Sequence, residues 1–430
     1  MKKQKPVKES AKVKVDIKAL RKLLKKIDLK SSVISVIGLV VLAGVLSSTY
    51  NYITINPGGA QIPNNVTRIS PDDTVLNPPC PARCEFNPGE QPMCLRGLQV
   101  NPAIYENIIV WEDGRDGFSD WTLDSIYVRN LADPNFPKAG KKLTTNKKGE
   151  ARPDIYKYKV VWEDYRNGQL NADIYMYDLA DPQQQEVIIA DAPKWQFNPA
   201  IWGNYIVWED ERNDDGSHPH NMMTDIYAYD IKNHKELQIT NTPDLAETMP
   251  DIWNDVITYN IEDTEGKQLD QIGVYYILSQ SQMTYHLMLN NSIYHTPPTI
   301  DSNKIVWVEK SPSWPYQYEI KLATVFLVDG EMKITGVDLP QNHKLKQKDS
   351  AYVQGHNIVW VHDGPYLNDD IYLYDLITSI ETQITHNELR QHQGTIYGNT
   401  IVWLDHRNDI RLLWPLECAN NIGDIYIRTI

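Results

Sequence analysis

The sequence predicts an all-β protein: a seven-bladed β-propeller of four-stranded antiparallel blades, preceded by a single transmembrane α-helix. Three observations lead there. A tryptophan-centred phrase recurs along most of the chain, each recurrence holds four short strand-like runs, and one charge-free apolar stretch lies near the N-terminus.

The phrase is clearest as "VVWEDYRNGQLNADIYMYDL" over 160–179. It aligns on Trp111, Trp162, Trp208, Trp307, Trp360 and Trp403, with Tyr259 in the one vacancy, at successive gaps of 51, 46, 51, 48, 53 and 43 residues. Every unit has the same parts. An apolar run follows a proline or its equivalent ("NPAI", "RPDI", "MPDI", "PPTI"), then come a short Asn/Gly/Asp turn, "IVW", a polar loop, "DIYxYDL" and a segment such as "LQIT". β-Branched and aromatic runs bounded by turn residues are strands. Apolar spacing sustained over ten or more residues, which a helix requires, does not occur in them. Units of roughly 40–50 residues with four strands each are propeller blades.

A blade is covered on both faces by its neighbours, which explains the aromatics. In "DIYMYDL", Tyr175 and Tyr177 point to one side and Ile174 and Met176 to the other. The last unit stops at "DIYIRTI" (424–430), its third strand, so an N-terminal stretch is expected to supply the missing one. Counting back from Ile104 places that strand near Gln91–Met93.

The charge is split. Against a net −14, residues 1–30 carry +9 and the rest −23. An acidic body argues against nucleic acid as a partner. Between the two lies "SSVISVIGLVVLAGVLSSTY" (31–50), whose apolar heart from Val33 to Tyr50 nearly spans a bilayer core of roughly 30 Å, with Tyr50 and Tyr52 at its outer end. The thirty-residue basic flank and the missing A-x-A site favour an uncleaved, single-pass signal-anchor over a secretory leader. The positive-inside rule then puts the N-terminus in the cytoplasm and the propeller outside the cell. Segment 13–30 spaces Val13, Ile17, Leu20, Leu24 and Ile27 as one helical stripe opposite lysines, suited to an anionic lipid surface. The expected organisation is a basic cytoplasmic segment (1–30), a transmembrane helix (31–50), a Pro/Asn-rich linker (51–88) and the propeller (89–430).

All four cysteines lie beyond the anchor, where disulfides form, and three pairings are open. If the closing strand precedes Cys94, Cys94 emerges beside Cys418, giving Cys94–Cys418 as a ring lock and Cys80–Cys84 as a local clip. Sequons at Asn65 and Asn290 are candidate glycosylation sites.

The repeats resemble the TolB-like family of β-propellers, among the WD40-like repeats of secreted and cell-surface proteins, on "IVWEDxRN…DIYxYDL…QIT" over about 90–430. The usual "SPDG" is replaced by turns such as "WGN" and "YGN". The resemblance implies a scaffold that serves binding modules, partners of envelope complexes and a few enzymes, so function must come from the site.

The most repeated polar feature is an Asp with an Arg two residues on: Asp113/Arg115, Asp164/Arg166, Asp210/Arg212 and Asp405/Arg407. Four copies point to a structural pair at a strand end. "DERNDDG" (210–216) and "DGPYLNDD" (363–370) offer oxygen ligands for Ca2+ but do not match the EF-hand pattern, and no other cofactor is expected. His218 and His220 bring two imidazoles together in one loop. Propeller lyases use His-rich metal sites, a pattern that neither this pair nor "QHQ" (391–393) reproduces. The loops between second and third strands, with the links between blades, put Trp121, Tyr165, Trp195, His218, Trp314, Tyr316, Tyr366 and Trp414 on one face, expected to look away from the membrane. The leading expectation is a binding or assembly module for a protein or glycan, without catalysis. The alternatives are an extracellular polysaccharide lyase or hydrolase with its site at the channel mouth, and an architectural subunit of an envelope or filament complex.

Overall fold

The computed structural model describes residues 66–69, 99–115, 124–146, 148–168, 171–214, 216, 223–243, 245–263, 271–278, 284–288, 296–310, 318–328, 331–338, 351–363, 369–387, 389–406 and 424–430. Segments 1–30 and 31–50, and all four cysteines, lie outside them. No helix among the described residues is long and apolar enough to cross a membrane.

The described residues form a seven-bladed propeller of four-stranded antiparallel sheets. Blade 1 is β2 (Gln99–Tyr105), β3 (Ile108–Asp113), β4 (Ser125–Asn130) and β5 (Lys141–Lys142). Blade 2 is β6 (Glu150–Tyr156), β7 (Lys159–Asp164), β8 (Asp173–Asp178) and β9 (Glu186–Ala190). Blade 3 is β10 (Gln196–Trp202), β11 (Tyr205–Asp210), β12 (Asp225–Asp230) and β13 (Lys235–Gln238). Blade 4 is β14 (Leu245–Trp253), β15 (Val256–Asp263), β16 (Gln271–Tyr276) and β17 (Thr284–Met288). Blade 5 is β18 (Thr299–Asp301), β19 (Lys304–Lys310), β20 (Tyr318–Val328) and β21 (Glu331–Asp338). Blade 6 is β22 (Ala351–Gln354), β23 (Asn357–Asp363), β24 (Asp369–Asp375) and β25 (Ile380–Gln383). Blade 7 is β26 (Gln391–Tyr397), β27 (Thr400–Asp405) and β28 (Asp424–Thr429), completed by β1 (Val66–Arg68).

The closing strand is therefore N-terminal, as expected, but at a different place. Val66–Arg68 pairs antiparallel with Arg428–Tyr426, and the Ile69 backbone N–H continues the ladder to Ile425 O at 2.9 Å. This strand falls inside the stretch expected as linker (51–88), while Gln91–Met93 lie outside the described residues. Counting back used the spacing between complete units. That spacing does not apply at the seam, where the fourth strand and the next first strand are joined by about thirty residues rather than a short link.

The hydrophobic core is seven wedges, each between two adjacent blades. Tyr175 and Tyr177 pack toward blade 1 with Val128 and Leu143, while Ile174 and Met176 pack toward blade 3 with Ile201 and Ile206. Each anchor aromatic lies in the wedge shared with the preceding blade: Trp162 with blade 1, Trp208 with blade 2, Trp403 with blade 6. Trp111 closes the ring against Val402, Leu404 and Ile425 of blade 7, and Ile69 joins that cluster. In blades 1–3, 6 and 7 the tryptophan packs on the tyrosine directly across the ladder, with centroids 6.0 Å apart at Trp111–Tyr127 and 6.2 Å at Trp162–Tyr175, while Trp307 of blade 5 faces Lys321. Blade 4 varies the theme: Tyr259 replaces the tryptophan and Gly273 lies opposite, where a Cβ would come within 2.2 Å of the ring.

First and second strands join through two-residue turns whose first residue is left-handed, at Glu106, Lys157, Gly203, Asn254, Ser302, Gly355 and Gly398. In blades 1–4 and 7 the first strand also carries a bulge, at Asn101, Arg152, Asn198, Met249 and Gln393, each with φ near +50°. These bulges turn the backbone N–H of the innermost strand toward the preceding blade.

Candidate functional site: the axial channel and its mouth

The seven first strands neighbour one another around the axis. Each therefore presents an unpaired inner edge, and buried N–H groups there need acceptors. Side chains of the preceding blade supply them at five interfaces, and at the other two they accept from the turn glycine that follows the first strand, always in the same direction. Glu112 accepts from Arg152 N (3.3 Å), Glu163 from Asn198 N (2.7 Å) and Glu209 from Met249 N (2.6 Å). Asp154 adds Ile201 N (2.8 Å), Asp251 takes Ile300 N (2.7 Å) and Asp301 takes Gly355 N (2.7 Å). Gln354 accepts from Gly398 N (3.1 Å), and Gln393 from Asn101 N (2.9 Å). Part of the body's acidity is thus an internal ring of acceptors.

One level of this ring forms the channel mouth, on the face bearing the second-to-third-strand loops. Register places Glu112, Glu163, Glu209 and Asn260 at equivalent positions in blades 1–4, and Val308, Val361 and Leu404 in blades 5–7. The mouth is polar on one side and aliphatic on the other. Blade 5 begins with Pro297-Pro298, which has no N–H to donate to blade 4 at this level. Asn101 Nδ2 donates to Glu112 at 2.9 Å, and Asn198 Nδ2 donates to Glu209. Arg152 pairs with Glu163 at 3.1 Å while 48% of its side chain stays exposed, so it offers a cation at the mouth.

Burial governs the electrostatics. Desolvation pushes Glu209 up to about 8, against the opposing hydrogen bonds from Met249 N and Asn198. Asp124 is hydrogen-bonded to Glu112; burial raises both, and the neighbouring charge lifts Asp124 further, so Asp124 holds the proton and Glu112 accepts. Deeper in, burial lifts Asp154 to about 6 and Asp251 to about 7. The opposite end of the channel is crowded by aromatics from the ends of the first strands. Tyr105 lies 4.5 Å from Tyr397, 4.9 Å from Tyr156 and 6.4 Å from Trp202, two blades away, and Trp202 lies 6.3 Å from Trp253.

Of the residues expected on the loop face, Tyr165 and Trp195 are described. Tyr165 is half-buried and its hydroxyl donates to Glu163 at 2.7 Å, tying it to the mouth. Trp195 is half-buried, edge-on to Phe197 at 6.1 Å, and its carbonyl accepts Glu211 N at 3.0 Å. Trp121, His218, His220, Trp314, Tyr316, Tyr366, Trp414, Asn65 and Asn290 lie outside the described residues, as do Cys80, Cys84, Cys94 and Cys418.

The Asp/Arg motif forms ion pairs. Asp164 receives Arg166 Nε (2.7 Å), Nη2 (2.6 Å) and backbone N (3.0 Å), together with Trp162 Nε1 (3.1 Å). Asp210 with Arg212 and Trp208, and Asp113 with Arg115 and Trp111, repeat the arrangement. Each guanidinium lies 3.8–4.1 Å over the strand-three tyrosine. Asp405 accepts Trp403 Nε1 at 2.9 Å; Arg407 lies outside the described residues. These carboxylates have their lone pairs engaged within one blade.

Glu112, Asp124, Arg152, Glu163, Asn198 and Glu209 escaped sequence reasoning. Their signal was present: the Glu of "WED" recurs in blades 1–3 only, beside a tryptophan that drew the attention. His392 and His406 at the same face of blade 7 also form a pair, Nε2 to Nε2 at 2.8 Å, with His392 held near 3 by burial and by His406. No group of three or more His, Cys, Asp or Glu suited to a metal occurs among the described residues.

No protein-family model matches this chain, and no curated protein does. Solved structures do. The β-propeller domain of the Trilobed protease from Pyrococcus furiosus superposes with a TM-score of 0.52 at 12% identity, over 77% of this chain and 95% of that one. The likeness is one of fold. Pyrococcus horikoshii acylaminoacyl peptidase gives 0.49 at 14% identity, over 72% of this chain but 49% of that one, so this chain spans about half of that peptidase. TolB from Acinetobacter baumannii gives 0.39 at 10% identity, over 78% of this chain and 79% of that one.

Proposed function

We propose that this chain is a binding and assembly module. A single-pass anchor at 31–50 holds it in the cell membrane, with the N-terminus cytoplasmic and the propeller outside. It recognises another protein or a glycan through the face bearing the second-to-third-strand loops, and it does so without catalysis. The observation that carries this reading is the ring of side-chain-to-backbone bonds at every blade interface, from Glu112–Arg152 N round to Gln393–Asn101 N. The scaffold's repeated polar chemistry goes into rigidity, and what differs between blades is the loops. A rigid disc bearing varied loops is the arrangement of a recognition surface. β1 enters from the face of the first-to-second-strand turns, which supports a loop face turned away from the anchor.

The test is capture from detergent-solubilised native membranes with the full chain and with a Trp195→Ala/Trp314→Ala/Trp414→Ala variant. Partners recovered by the parent and lost by the variant, at equal melting temperature, support the reading. Identical recovery refutes it. Biotinylation of intact cells tests the orientation separately.

A second reading, a polysaccharide-acting enzyme, is favoured by one observation: Glu209 and the Glu112–Asp124 pair keep protons well above the usual carboxyl range at the channel mouth. Release of reducing ends or unsaturated uronates from a polysaccharide panel, abolished by Asp124→Asn or Glu209→Gln, would establish it.

A further inference from the structure

The outer rim between blades 1 and 2 carries a cleft of about 760 Å3, within the range of ligand-sized sites. It exists because β5 is only two residues long, whereas β9 across the gap has five, so the wedge is left uncovered at its outer end. The apolar floor is almost closed. Ile108, Val128 and Leu143 are buried, so an apolar peptide side chain would find little surface there to cover. The carboxylate in the wall is already engaged: Glu186 accepts from Arg166 Nη2 at 2.7 Å and from the Thr145 backbone N and hydroxyl at 2.8 and 3.0 Å. Arg166 in turn is held by Asp164 at 2.6 Å.

What the cleft offers a ligand is aromatic rings and neutral polar groups. Tyr158, in the turn between β6 and β7, is 54% exposed, and Phe136 is half-buried. Tyr177 is more than nine-tenths buried, yet its hydroxyl meets no hydrogen-bonding partner among the described residues. The equivalent Tyr229 of blade 3 bonds His234 Nδ1 at 3.3 Å. Asn130 Oδ1 is fixed by the Ala132 backbone N at 2.9 Å, which leaves Nδ2 as a donor. Gln184 and Gln185 add two side-chain amides, and Gln184 is held in a left-handed turn by its backbone N to Asp181 O at 3.1 Å.

We infer that this cleft binds a neutral saccharide, one pyranose face packed on Tyr158 and its hydroxyls bonded to the Tyr177 hydroxyl and to the Asn130, Gln184 and Gln185 amides. A pyranose presents a C–H face that packs on an aromatic ring, and a girdle of hydroxyls that both donate and accept. Tyrosine hydroxyls and glutamine amides also do both. The largely buried Tyr177 hydroxyl gains the partner that the protein does not supply. The site is on the rim, so it stands or falls independently of the loop face and of the channel mouth.

The experiment uses the full chain in amphipol, because sugar-headed detergents would compete. Fluorescently labelled mono- to tetrasaccharides of glucose, galactose, mannose and N-acetylglucosamine are the probes, read by polarisation. At least one should bind, and its affinity should fall tenfold or more in Tyr158→Ala, whose exposed ring can be removed without opening the core. Tyr177→Phe, which keeps the packing and removes only the hydroxyl, should weaken the same probe several-fold, as should Gln184→Ala/Gln185→Ala. Ile377→Ala, an exposed side chain in blade 6, should leave binding unchanged. Binding by no saccharide in the panel, equal affinity in Tyr158→Ala and Tyr177→Phe, or an equal loss in Ile377→Ala would each overturn the inference. So would displacement of the bound sugar by an Ala/Phe tripeptide at lower concentration than by the unlabelled sugar.

Discussion

Gln393 in blade 7 and Asn101 in blade 1, 292 positions apart, exchange two hydrogen bonds. The Asn101 backbone N–H donates to Gln393 Oε1 at 2.9 Å, and Gln393 Nε2 donates to Asn101 Oδ1 at 3.0 Å. The pair joins the last innermost strand to the first. Gln393→Ala removes both bonds and leaves a backbone donor unpaired, so it should cost about 1–3 kcal/mol. Denaturant unfolding monitored by tryptophan fluorescence reads this directly, and a midpoint equal to the parent's would remove the latch from the account.

Ring closure also depends on β1. Ile69 is fully buried in the wedge between blades 7 and 1, next to its bond to Ile425. Ile69→Ala should destabilise by about 2–4 kcal/mol, as truncations in packed cores do. Met93→Ala, at the position counted back from the repeats, should change the melting temperature little. The reverse ranking would return the closing strand to the later stretch.

The Asp164 carboxylate is fully buried, and its Arg166 partner retains 29% of its side-chain exposure. Asp164→Ala strands Trp162 Nε1 but leaves Arg166 its bond to Glu186 at 2.7 Å, with an expected loss of about 1–3 kcal/mol. Because the motif is structural in this account, the same substitution at Asp210 should cost a similar amount. Melting curves of the two variants provide the comparison.

Stability should fall from mildly acidic to alkaline pH. Glu150 and Glu209 are lifted to about 8, and Glu247 and Asp251 to about 7, chiefly by burial. For an acid whose folded pKa lies above its unfolded value, the folded state binds more protons. Its contribution is complete below the unfolded pKa of roughly 4 and is lost as pH rises through the folded value. His392, lowered to about 3, acts oppositely and weakens the fold as pH drops below roughly 6.5. Four carboxyls outweigh one imidazole, so the melting temperature should be higher near pH 5.5 than near pH 8.5. Glu209→Gln should flatten that slope. A melting temperature that climbs steadily toward pH 8.5 would contradict the burial argument.

Much of this molecule was readable before any coordinates. The tryptophan spacing predicted the number of blades, and the alternation of Tyr175 and Tyr177 with Ile174 and Met176 predicted which residues meet which neighbour. The pairing of Asp with Arg two residues on was also legible, because both ends of that interaction lie within one strand end. Local patterns reveal contacts that are local. The closing strand was not legible, since "VTR" carries no repeat signature and is defined only by Arg428–Tyr426 opposite.

The polar ring around the axis shows the same limit more sharply. Glu163 and Asp154 look like part of a strand phrase until Asn198 N and Ile201 N of the following blade arrive beside them. Sequence periodicity determined the strands, the blades and the aromatic wedges, because side-chain alternation and burial repeat with the chain. Only the closed ring decided which carboxylates face an unpaired N–H, which of them hold protons, and where a short fourth strand leaves a cleft. Those properties arise between blades, from desolvation and edge pairing that no single repeat contains.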